Sequence, residues 1–180
     1  ATQQSSTTVY WETPMIRDSA LEEIERAGAE PPDSILRDGR GAQAQSIVSV
    51  IESRAESDPA FGRLVARHDS DGDGLPEDNL RAVYDYLLES SSRSSALSYL
   101  TEDYRSTRVV YSIDSDASQA DVAADARTLA DRYRGDATAT GQTVVFEDVA
   151  ALILESALLS LVIALVGASL FLVFIYQLPS

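Results

Sequence analysis

The stretch VAALILESALLSLVIALVGASLFLVFIY, Val149–Tyr176, decides how this chain reads. From Ala157 to Tyr176 it runs 20 residues without a charge. At about 1.5 Å per residue, a helix of that length covers about 30 Å, the thickness of a bilayer's hydrocarbon core. Tyr176 stands where an interfacial aromatic belongs. The competing reading is a helix buried in a large soluble core, which usually needs a shorter apolar run. The sequence therefore predicts a transmembrane helix over 149–178, preceded by an acidic domain over 1–148. Ser156, Ser160, Ala164 and Ala168 recur every four residues, with Gly167 beside them. Such a stripe lets another helix approach closely, although small residues are also common in membrane helices generally. Glu155 lies at the mouth of the span and reads as interfacial.

Outside this stretch the chain is dominated by carboxylates. Its 180 residues include 29 acidic and 14 basic ones, for a net charge of −15. All the basic residues are Arg. That balance opposes binding to nucleic acid or anionic lipid, since both require cations against phosphate, and no nucleic-acid partner is expected. A carboxylate-rich surface without Lys fits a halophile. There is no Cys, so neither disulfides nor thiol chemistry enters. The first residues carry no basic segment followed by an apolar one, so they do not read as an export signal. An external domain would then need something upstream to export it. Otherwise the C-terminal helix is a tail anchor.

Several local patterns divide the soluble part. Thr7–Glu12 (TTVYWE) reads as a strand and Ser19–Ala27 as a helix with Ser19 and Glu22 as capping box. Pro and Gly make 30–41 a loop. A helical insertion is predicted over about 42–100. It contains helices over Ala42–Ser57, from Asp58-Pro59 to about Arg67, and over Glu77–Leu88. His68, the sole histidine, reads as the end of a helix. A β-α-β unit follows over about 107–146: a strand over Thr107–Asp114, a helix over Ser118–Arg134, and a strand over Ala137–Phe146 bulged at Gly141.

The loop DSDGDGLPEDNL (Asp69–Leu80) has the spacing of an EF-hand-like calcium loop. Asp69, Asp71 and Asp73 fall at positions one, three and five, and Gly74 at six. Leu75 would offer its carbonyl at seven, and Glu77 its carboxylate at nine. Position twelve, where a bidentate Glu belongs, is Leu80. The alternative is a solvated acidic turn whose Glu77 and Asp78 favour the next helix's N-terminus. Any calcium here reads as structural rather than regulatory. Nothing supports catalysis: the chain lacks Gly-x-Ser-x-Gly, a phosphate-binding Gly loop and His-Glu-x-x-His.

The order of elements resembles a known family. Leu100-Thr101-x-Asp103, the strand at Arg108–Ile113, a helix, Thr140-Gly141-x-x-Val144-Val145 and a Leu-rich helix resemble the resistance-nodulation-division (RND) superfamily, above all its MMPL-like predicted exporters of halophilic archaea. VYWETP (Val9–Pro14) resembles the family's second porter strand. The resemblance implies a fold of α+β class: a partial ferredoxin-like (β-α-β) porter subdomain with a helical insertion and a C-terminal transmembrane α-helix. It places residues 1–148 outside the cell membrane. It implies that the first porter strand is missing, so that the strands at Thr107 and Ala137 close up or leave an edge for another chain. The implied partners are the lipid bilayer, the remaining transmembrane helices and second porter domain of an exporter, and a homo-oligomer. The implied function is passage of hydrophobic or lipidic substrates. The other class of function is a single-span or tail-anchored protein with an acidic, calcium-binding interaction domain.

Overall fold

Strand β1 (Ser6–Glu12) alternates strictly: Thr7, Val9 and Trp11 are buried, while Ser6, Tyr10 and Glu12 are exposed. This period of two builds the sheet around it. In the computed structural model, which describes residues 5–39, 41–140 and 160–176, β1 is central. It pairs antiparallel on one side with β5 (Ser106–Ser112) and on the other with β6 (Asp136–Thr140). The registers Val9↔Val109 and Val9↔Ala139 fix which face turns inward. Helix α6 (Gln119–Asp131) joins β5 to β6, two strands that run the same way with β1 between them. This is a split β-α-β arrangement.

The position expected to lack its strand is therefore filled by the chain itself. The strand read as the family's second porter strand takes the central place and pairs along its length on both sides. A short strand β4 (Ala44–Gln45) completes the sheet on the β5 side, giving the order β4-β5-β1-β6. The subdomain thus has four antiparallel strands rather than a partial set.

Helix α1 (Ala20–Gly28) packs Leu21, Ile24 and Ala27 inward. Ser19 stands at its N-cap in the left-handed region and makes no side-chain cap, so the expected capping box is absent. Next come strands β2 (Arg37–Asp38) and β3 (Gly41–Ala42), which form a small hairpin. Because Gly41–Gln45 run extended, helix α2 (Ile47–Ser57) starts later than the sequence predicts. Its capping box is Ser46 with Ser49. Helix α3 (Pro59–Arg67) opens on Asp58, whose carboxylate accepts the N–H groups of Ala60 and Phe61. Helices α4 (Leu80–Glu89) and α5 (Arg93–Leu97) end the insertion. The insertion and the sheet share one core, with Trp11, Met15 and Leu21 meeting Phe61, Tyr84 and Leu87. The buried Tyr84 hydroxyl donates to the Met15 carbonyl at 2.9 Å, which satisfies both groups across the junction.

The chain divides into two units, 1–144 and 145–180. In the second, residues 160–176 form one helix, α7, with all its side chains exposed. The described part of α7 counts 17 residues, about 25 Å at about 1.5 Å per residue. Among the described residues, no helix is long and apolar enough to cross a membrane. That finding corrects the transmembrane helix expected over 149–178. Residues 149–159 and 177–178 of the expected span lie outside the described residues. So do Ser156 of the small-residue stripe and the bulge expected at Gly141. Ser160, Ala164, Gly167 and Ala168 lie on α7, and a Cβ at Gly167 would meet nothing within 4 Å.

Candidate metal site and acidic groove

The loop between α3 and α4 is shaped by its own carboxylates. Asp69 accepts the N–H groups of Gly72 at 2.7 Å and Gly74 at 3.0 Å. Asp71 accepts from Asp73 N–H at 3.1 Å, and Asp73 from Leu75 N–H at 2.8 Å. Gly72 and Gly74 have φ of 81° and 94°, a region where a Cβ is strained. These turns fold the acidic side chains over the backbone. One carboxylate oxygen from each of Asp69, Asp71 and Asp73 then lies within 4.8 Å of the others.

The loop's two ends are tied down. Glu77 N–H donates to the His68 carbonyl at 2.8 Å, and His68 Nδ1 meets Asp78 at 2.5 Å. Leu75 is 1% exposed and plugs the loop into the core. The Glu77 carboxylate accepts Ser70 N–H at 3.1 Å, and the Glu77 carbonyl accepts Ser19 N–H at 2.9 Å from the start of α1. Of the five predicted ligands, three Asp side chains converge. Glu77 turns to the loop backbone, and Leu75 serves as an anchor through its side chain. Leu80 is fully buried at the head of α4, so position twelve offers no side-chain oxygen.

Two of the loop's Asp residues share a groove with carboxylates from other elements. Glu22 and Glu25 of α1, Glu52 of α2, Asp71 and Asp73 line an open groove of about 690 Å³. Its floor includes Ile24, Val109 and Tyr111. Partial desolvation raises the Asp73 carboxyl above its ordinary range, as do Asp71, Asp69 and Glu77, against the lowering by Leu75 N–H. Glu22 is raised by desolvation and then by Glu77 and Asp71. Glu25 is raised by desolvation and then by Asp73 and Glu52. Glu52 is raised by desolvation, Glu56 and Asp73. The four groups share one cause beyond burial, which is negative charge crowded across three elements.

Sequence reasoning missed Glu22, Glu25 and Glu52 as members of this site. Their only local signal is the i, i+3 spacing of Glu22 and Glu25 on α1, and acidic pairs of that kind abound in this chain. The donors gathered here are all carboxylate oxygens, the hard ligands that suit calcium, so the residues fit the cation. Thiolate and imidazole ligands are absent from the three-residue group. No family model, no curated protein and no solved structure matches this chain, so a functional reading rests on these residues themselves.

Proposed function

We propose that this is a calcium-stiffened interaction domain that works at the outer side of a cell membrane. The observation that carries the reading is the convergence of Asp69, Asp71 and Asp73 oxygens within 4.8 Å. A divalent cation there would offset the repulsion that raises Asp73, Glu22 and Glu25. Because the loop leads into α4 and its Glu77 carbonyl accepts Ser19 N–H at the start of α1, the cation would brace the insertion against α1. Three carboxylates without the bidentate twelfth ligand make a weak site. Weak sites of about 10⁻⁴–10⁻³ M are useful outside cells, where calcium is abundant. The exposed apolar side chains of 160–176 favour a membrane setting, since so large an apolar surface needs cover. No residue is assigned a catalytic role.

Thermal unfolding with added CaCl₂ tests this. The melting temperature should begin to rise in the millimolar range and then climb with the logarithm of the calcium concentration. The gain should reach about 1.4 kcal/mol at ten times the dissociation constant. Asp71→Asn should abolish the response while leaving the calcium-free melting temperature unchanged or higher. A melting temperature insensitive to calcium sinks the reading.

A second reading is the extracytoplasmic porter domain of an RND-type exporter, favoured by the split β-α-β order of the sheet. The substrate path and the ion-coupled helices would lie outside this sequence. An antibody against the domain, applied to host membranes, separates the two. A native polypeptide several times larger than 19.4 kDa favours the exporter, and a band near that mass removes it.

A further inference from the structure

Six carboxylates from four separate segments line the groove: Glu22 and Glu25 of α1, Asp38 of β2, Glu52 of α2, and Asp71 and Asp73 of the loop. Elsewhere acids of this chain meet cations, as Glu23 meets Arg17, Asp58 meets Arg54 and Glu102 meets Arg93. Among the described residues no Arg or His stands within ion-pair distance of the six. Arg26 also lines the groove, and it lies 3.9 Å from Glu23. Arg40, between Asp38 and Gly41, is outside the described residues. Even with Arg26 and Arg40 both counted, six acids against two cations leave an excess of four. Acids crowded by like charge in a cleft are the physical mark of a binding site.

A single metal ion does not answer this charge. One ion needs its ligand oxygens gathered about one point, and among the described residues only Asp69, Asp71 and Asp73 form such a group. Glu22, Glu25 and Glu52 are outside it, so the complementary ligand carries several positive charges spaced along its length. The floor sets a second requirement. Ile24, Val48, Val109 and Tyr111 make it apolar, with Ala42 and Ala44 half-buried beside them. The volume of about 690 Å³ lies within the range of about 300–1,000 Å³ usual for ligand pockets. Arginine meets both requirements, because its stem covers apolar surface while its guanidinium grips a carboxylate with two N–H groups. We propose that the groove docks an arginine-rich segment of a partner protein, with guanidinium groups on Glu22, Glu25 and Glu52 and apolar side chains on the floor. A second copy of this chain, itself at −15, would be repelled. The inference names the partner of the interaction domain and rests on that reading, but not on calcium, since Glu25 and Glu52 lie outside the Asp triad.

A fluorescein-labelled peptide of alternating Arg and Val is the probe, read by anisotropy against the full chain in non-ionic detergent with calcium chelated. At ~1 M salt the screening length is about 3 Å, so diffuse attraction to an acidic chain fades. Guanidinium–carboxylate contacts of about 2.8 Å persist. The peptide should bind, and its counterpart with neutral citrulline for Arg should not. Glu25→Gln with Glu52→Gln should weaken binding about tenfold. Glu89→Gln with Asp131→Asn removes two exposed acids that do not line the groove, and should change it by less than about twofold. Equal losses in the two double variants overturn the proposal, and so does citrulline peptide bound as tightly, or no binding by the unaltered chain. Spermine has spaced charges without apolar side chains, and should displace the peptide only in large excess. Displacement at equal concentration also overturns the proposal. The calcium response of the melting temperature is read on the same variants without peptide, so the calcium reading and the groove fail separately.

Discussion

Glu23 is 2% exposed on α1, yet all its charge is answered. Arg17 donates to it at 2.5 Å, and the backbone N–H of Arg134 at 2.6 Å. Trp11 Nε1 in turn donates to the Arg134 carbonyl at 2.8 Å, so residue 134 is held from both sides. The cluster ties β1, α1 and the end of α6. Glu23→Ala leaves a buried N–H without an acceptor and should cost about 2–3 kcal/mol in chemical denaturation. Asp58 is the second answered carboxylate. The Tyr86 hydroxyl and Arg54 hold its carboxyl down at about 2. A depressed acid contributes stability above its unfolded value of 3.8 and loses it as pH falls through about 2. Acid unfolding curves of Asp58→Asn should therefore lack that limb, because Asn keeps the cap but does not titrate. The sequence shows Asp58 as a helix cap but not its ties to Tyr86 and Arg54, and it shows nothing of the role of Glu23. In a chain with 29 acids, local spacing cannot separate Glu23, which is buried among donors, from Glu25, which faces a groove.

Among elements, those set by short-range chemistry were legible. Asp58-Pro59 starts α3 and Ser118 starts α6, each by accepting backbone N–H groups. The late start of α2 was hidden because Ala42–Gln45 have no helix breaker among them; pairing with β2 and β5 draws them extended. The place of β1 was also hidden, since strand order is decided by partners about a hundred residues away. The packing of α3 on α2 is close at one point. A Cβ on Gly62 would stand 2.9 Å from the Ala55 carbonyl oxygen. Gly62→Ala should therefore destabilise by about 1–3 kcal/mol, despite the ~1 kcal/mol by which Ala is the better helix former. Urea titration of the variant gives the sign directly.

The whole molecule carries its charge unevenly, with Glu22, Glu25, Glu52 and Asp73 crowded on one groove. These acids are raised in the folded chain, so it takes up protons before the unfolded chain does as pH falls. Stability should increase as pH drops from neutral towards the unfolded carboxylate values near 4.5 and 3.8. The gain should stay below about 1 kcal/mol because water screens these groups. Saturating calcium should flatten that slope, which calorimetry at pH 7 and 5 can read. The three Asp residues of the loop between α3 and α4 were visible as a spacing, whereas the groove's other carboxylates came together only in the tertiary fold. The central place of β1 also sets a clock. This strand leaves the ribosome before its two partners, at 106–112 and 136–140, which follow it by about a hundred residues. At about 5–20 residues per second, Val9 and Trp11 wait on the order of ten seconds with nothing to pair against. Nascent chains stalled before Asp136 should stay protease-sensitive at β1, and those released beyond Thr140 should become resistant in one step.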